Sequence, residues 1–153
     1  MEHLHALFVT AEADATAFVA LLDLEQQALI DRDMTELEVL LSRKAPLVSA
    51  LSEHDQTIVA YCQQAGISPG DSLEEHLGAS GSAELMAAYQ LFKKALQDCQ
   101  TANARNARLI RHNQQATSQL LDLLRNQGES SDHVYDSQGL SSRSGTQRNL
   151  TKV

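Results

Sequence analysis

The chain has 153 residues, a formal net charge of −8, no tryptophan and six aromatic residues in all. That length suffices for one domain with a sizeable core, and the acidic balance argues against a nucleic-acid partner or an anionic membrane surface. No apolar run approaches the roughly 18 residues that span a bilayer, and Met1-Glu2-His3-Leu4-His5 lacks the basic start and apolar core of a signal peptide, so a cytoplasmic chain without membrane insertion is expected.

The first helix is expected over about residues 3–31, with Leu4, Phe8, Ala11, Ala15, Phe18, Leu22, Glu25 and Leu29 on one seam in alternating steps of four and three. The Asp31-Arg32-Asp33 turn follows, and Asp33 with Glu36 forms a capping-box pattern. A second helix, about 34–65, carries Leu37, Leu41, Lys44, Val48, Leu51, Asp55, Ile58 and Cys62 on its seam and stops at Gly66 before Pro69. Pro46 should kink it, but the heptad phase is kept on both sides, which predicts one bent helix. The short turn makes the two helices an antiparallel hairpin. Glu25 and Lys44 are then brought within about a helical turn of each other. They either form an ion pair that fixes register or reach solvent independently.

Ser72-Leu73-Glu74-Glu75 is a second capping box and Leu77-Gly78 a stop, so one short helix is expected over 73–77. The longest helix follows over about 83–126, capped by Ser82 and ended by Gly128. Its seam is Leu85, Tyr89, Phe92, Leu96, Cys99, Asn103, Asn106, Ile110, Asn113, Thr117, Leu120 and Leu124. Asn103, Asn106 and Asn113 make its middle polar. They either bond to one another and to neighbouring helices, or that section faces something other than a permanent apolar core. From Glu129 the chain is rich in serine, glutamine and glycine, with three acids and three bases, so the net acidity belongs to the preceding residues. Such a segment buries too little surface to fold alone. The sequence therefore predicts an all-α fold: an elongated antiparallel bundle or coiled coil of three long helices with one short connecting helix over residues 1–128, then a mobile or partner-ordered tail over 129–153.

Chemistry is hard to find. A di-iron bundle needs two Glu-x-x-His pairs and two more inward glutamates, whereas the spacing occurs here only from Glu2 to His5. His112 is followed by Asn113-Gln114-Gln115, not by the lysine-glycine pair of phosphotransfer bundles. No nucleophile elbow or phosphate loop occurs. Arg105, Arg108 and Arg111 recur every three residues without the interleaved aromatics of a single-strand binder. Cys62 and Cys99 read as small buried apolar residues in a reducing compartment. No enzyme activity, metal or other cofactor is expected.

The ordered set of Leu21-Leu22-x-x-Glu25-x-x-Ala28-Leu29, an acidic turn, Leu37-x-x-Leu40-x-x-x-Lys44, an asparagine-bearing last helix (Asn103-x-x-Asn106, Leu109-Ile110) and Tyr135-Asp136-x-x-Gly139 resembles the FlgN family of flagellar export chaperones. The resemblance implies a cytosolic helical chaperone. It would hold the C-terminal helical segments of the hook-filament junction proteins FlgK and FlgL, prevent their premature assembly, and deliver them to the export gate protein FlhA. It implies gate docking through Tyr135. A cargo helix laid in a groove would meet Leu120, Leu121 and Leu124, with tail residues such as Leu140; alternatively those leucines close the bundle core. A structural coiled-coil or adaptor protein without a client is the other reading, and a homodimer is compatible with either.

Overall fold

The computed structural model describes residues 2–68 and 72–137, with side chains as far as Gly128. Four helices follow in order: α1 (Glu2–Asp31), α2 (Met34–Gln64), α3 (Leu73–Ala79) and α4 (Ala83–Ser137). There is no strand among the described residues, and the fold is all-α.

The termini are set by local chemistry. Arg32, at φ 56°, takes the left-handed position that ends α1, and the Asp33 N–H donates to Ala28 O at 2.9 Å. Asp33 then starts α2 by accepting from the Glu36 N–H at 2.9 Å. Gly66, at φ 71°, closes α2 with an Ile67 N–H to Cys62 O bond of 2.9 Å, the six-to-one closure that favours glycine. Ser82 caps α4 through the Leu85 N–H at 3.3 Å. Ser72 makes no side-chain capping bond, so the expected second capping box does not form, and α3 runs two residues past its expected end at Leu77, to Ala79. Pro46 lies within a single α2.

The chain divides into two units, Met1–Ile110 and Arg111–Val153. In the first unit the core is laid out in order along α1. Leu4, Phe8 and Ala11 pack with Leu85, Ala88 and Phe92 of α4 and Leu77 of α3, with Ile58 and Tyr61 of α2 beside them. Phe8 meets the rings of Tyr89 and Phe92 at centroid distances of 5.3 and 5.9 Å. Next, Ala15, Phe18 and Leu22 meet Ala95, Cys99 and Ala102, with Leu47 and Leu51 alongside. Leu21 and Ala28 finally meet Leu40. Residue numbers rise together on α1 and α4 and fall on α2, so α2 is antiparallel to both.

Every apolar seam position named for α1 is buried. On α2 and α4 half of the expected stripe is displaced by one residue. Leu37, Leu51 and Ile58 pack inward on α2, but their intervening partners are Leu40, Leu47 and Tyr61, one residue before the expected set. Leu41 is 66% exposed, whereas Leu40 is 1% exposed. On α4 the buried stripe is Leu85, Ala88, Phe92, Ala95, Cys99, Ala102 and Asn106. Tyr89 and Leu96 pack on its flank, and Asn103 is exposed. The reason is size. An alanine at every seventh position, opposite Ala11 and Ala15, lets α1 and α4 approach closely, which a stripe through tyrosine and leucine would not.

Burial on α4 ends at Asn106, and none of residues 111–128 is buried. The division at Ile110 therefore falls before the expected boundary at Gly128. The helix also continues through Gly128 to Ser137. A glycine costs a helix only about 1 kcal/mol, and none of Glu129 to Ser137 is proline.

Candidate functional site

Two features stand out: a polar clasp inside the first unit and a leucine stripe on the second. The clasp is built on Glu25, on the inward stripe of α1. Its Oε1 accepts from Lys44 Nζ of α2 at 2.9 Å, and its Oε2 accepts from Asn106 Nδ2 of α4 at 2.6 Å. Asn106 Nδ2 also donates to Leu22 O at 2.8 Å, and Arg105 Nε donates to Asn106 Oδ1 at 3.1 Å. Arg105 Nη2 reaches Leu22 O at 3.2 Å and Asp23 Oδ1 at 2.9 Å. Asn106 thus uses both donors and its acceptor, which is how an amide only 1% exposed is tolerated. Lys44 Nζ also lies 5.7 Å from the centre of the Phe18 ring.

The independent-solvation alternative for Glu25 and Lys44 does not describe them: they are in contact and mostly buried. Of the three asparagines, only Asn106 joins the clasp. Asn103 points outward and Asn113 is half-buried. Arg105, one of three periodic arginines, is ion-paired to α1 through Asp23. Two further contacts were not evident in the sequence. His54 Nε2 and Asp14 Oδ2 lie 2.8 Å apart across α1 and α2, and Glu74 accepts from Gln90 Nε2 at 2.6 Å and Lys93 Nζ at 2.8 Å between α3 and α4. The Lys93 hydrogen bond, then that of Gln90, holds the Glu74 carboxyl below its usual range, and Glu74 in turn raises Lys93. Cys99 donates to Ala15 O at 3.2 Å, and burial, with Asp98 second, raises its thiol. Cys62 is half-buried. Among the described residues no group of three metal-ligating side chains converges, and no helix is long and apolar enough to cross a membrane.

In the second unit, Leu120, Leu121 and Leu124 are each more than half exposed. None of residues 111–128 is buried around them. Leu123, 60% exposed, belongs with them although the expected set omits it. Its signal was legible: it continues the seven-residue series Ala88, Ala95, Ala102, as Leu120 continues Leu85, Phe92, Cys99, Asn106. Four leucines within five residues give a band on one side of the helix, edged by Gln114, Gln119, Asn126 and Gln127. Such a band suits an apolar helical ligand. Tyr135 lies in the last helical residues of α4 and its side chain is outside the described set; Leu140 lies outside the described residues altogether.

A family model for the FlgN protein matches residues 1–143. The chain is also similar to a crystal structure of a flagella synthesis protein FlgN from Pseudomonas aeruginosa, at 32% identity and a TM-score of 0.64, over 81% of this chain and 97% of that one. No curated protein matches.

Proposed function

Because the chain belongs to the FlgN family, we propose that it is a cytoplasmic flagellar export chaperone whose leucine band holds a helical cargo segment. The cargo is the C-terminal helical region of the hook-filament junction proteins FlgK and FlgL. A helix of that kind exposes an apolar stripe until it assembles, and covering the stripe prevents premature association. Each leucine buried against cargo contributes about 1.5–3 kcal/mol before the costs of ordering. Release follows at the cytoplasmic domain of FlhA, to which Tyr135 docks, with Leu140 adding to the cargo contact. The clasp of Glu25, Lys44 and Asn106 has a structural role in this reading: it fixes the register of α1, α2 and α4.

The observation that carries the reading is the exposure of Leu120, Leu121, Leu123 and Leu124 on a helix whose buried stripe ends at Asn106. The test is Leu121→Ser with Leu124→Ser. Cargo binding should fall at least tenfold while helicity and melting temperature stay unchanged. A collapse of the fold would instead assign those leucines to a core.

A further inference from the structure

We propose that the face of α1 and α2 turned away from α4 pairs with the same face of a second copy, antiparallel and about a two-fold axis, so that two hairpins meet in one four-helix interface. Only residues of the first unit take part. None of Leu120 to Leu124 belongs to this face, so the pairing is independent of what the leucine band holds.

α1 carries two seams. The first, Leu4, Phe8, Ala11, Ala15, Phe18 and Leu22, is spent on the core. Two residues on from each stand Ala6, Thr10, Ala13, Ala17, Ala20 and Leu24, a second series in the same steps of four and three, about 200° round the helix. All six are exposed and none is charged. α2 repeats the spacing with Val39, Arg43, Pro46, Ala50, Glu53 and Thr57, of which only Ala50 is half-buried and the rest are exposed. Between the two series the surface sinks into an open depression of about 600 Å³, walled by Ala17, Ala20 and Leu24 on one side and by Arg43 and Pro46 on the other. Leu24 and Val39 are left 47% and 48% exposed. α4 does not cover this face: it meets α1 through Ala15, Phe18 and Leu22.

Charge selects the occupant. The two series hold one cation, Arg43, and one carboxylate, Glu53, and neither is ion-paired among the described residues. They stand ten residues apart on α2, roughly 15 Å. A strongly basic or strongly acidic helix would suit one and oppose the other. A second α2 laid antiparallel, with the axis crossing at residue 48, satisfies both. It sets Arg43 against Glu53 of the second copy and Glu53 against its Arg43, while Pro46 and Ala50 meet in each direction. The same axis fits α1. Asp14 faces His54 and Glu25 faces Lys44, so residue 48 of α2 lies level with residues 20–21 of α1. Ala20 is then at the axis, and Leu24 of one copy falls on Ala17 of the other, a large side chain against a small one. Because both copies offer the same face, the contact closes on itself as a two-fold pair.

The test is charge exchange in the full-length protein, read by sedimentation velocity with circular dichroism as the control for folding. Unmodified protein should pass from monomer to dimer as concentration rises. Arg43→Glu sets two carboxylates against each other at both ends of the α2 contact, and Glu53→Arg does the same with two cations. Each alone should weaken the dimer at least tenfold with helicity unchanged. Mixed in equal amounts, the two variants should form a heterodimer, and the doubly exchanged chain (R43E with E53R) should again pair with itself. Wild-type protein that stays monomeric up to millimolar concentration overturns the proposal. So does a dimer that both single variants leave intact, or one that neither the mixture nor the double exchange restores. Binding of cargo fragments by a protein that stays monomeric would sink the pairing and leave the chaperone reading standing.

Discussion

Glu25 serves two helices at once, one oxygen on Lys44 and the other on Asn106. Removing a partner from such a cluster costs more than the bond is worth, because the groups left behind stay buried and unpaired. Asn106→Ala should therefore lower the unfolding free energy by about 2–3 kcal/mol, read from urea denaturation. Lys44 is partly solvated, at 18% side-chain exposure, so Lys44→Ala should cost only about 1 kcal/mol. If the two variants cost the same, Glu25 is held by solvent and not by Asn106. Cys99 should resist alkylation at neutral pH in the folded protein, because burial keeps its thiol protonated, whereas the half-buried Cys62 reacts first. Glu74 gives a pH signature of definite sign. Its carboxyl is held below 4.5 by Lys93 and Gln90, so its contribution is present above that pH and is lost as pH falls through the lowered value. The melting temperature of Glu74→Gln should accordingly fall less steeply below pH 4.5 than that of the wild type. Parallel curves would show that the exposed pair contributes nothing measurable.

At the scale of the helix, most of the fold was legible and the error was one of phase. α1 offered one strong series, Leu4 to Leu29, all of whose apolar members are buried, although Leu21 and Ala28 beside it are buried as well, against Leu40. On α2 and α4 the alternate positions are doublets, Leu40-Leu41, Leu47-Val48, Ala88-Tyr89 and Ala95-Leu96, and the larger or later member is the weaker guide. On α4 the close approach of helices favours the smaller residue at the contact, whereas on α2 Leu40 is taken over an equal Leu41 and Leu47 over a smaller Val48, and periodicity carries neither choice. The same slip placed Asn103 on the seam and left Leu123 out of the leucine band. Leu40→Ala should cost about 3 kcal/mol, in the range for a buried leucine, whereas Leu41→Ala should stay within about 0.5 kcal/mol, as for a surface site. Equal effects in chemical denaturation would restore the original phase. The clasp was half legible: Glu25 and Lys44 stood out as charges on apolar stripes, but Asp14 with His54 and Glu74 with Lys93 did not, since neither pair breaks a pattern. The continuation of α4 through Gly128 was illegible for another reason. Glycine is a stop signal only where a left-handed turn closes the helix, as at Gly66, and the sequence alone does not tell the two uses apart.

At the scale of the molecule, labour is divided between a unit that holds itself together and a helical segment that does not bury its own leucines. The first carries nearly all the acidity and, among the described residues, every one that is buried. It fixes three helices through small-residue contacts and one polar clasp. The second has no core among its described residues and presents leucine edged by amides, the surface expected of something that binds a helix and then lets it go. Calorimetric titration of C-terminal fragments of FlgK and FlgL into the full-length protein, and into a chain ending at Gly128, tests that division most directly. One-to-one binding of micromolar strength or tighter by the full chain, weakened but retained on truncation, is the predicted result, because the leucines remain while Tyr135 and Leu140 are removed. Absence of heat from both proteins would contradict the account and leave the leucine band without a ligand.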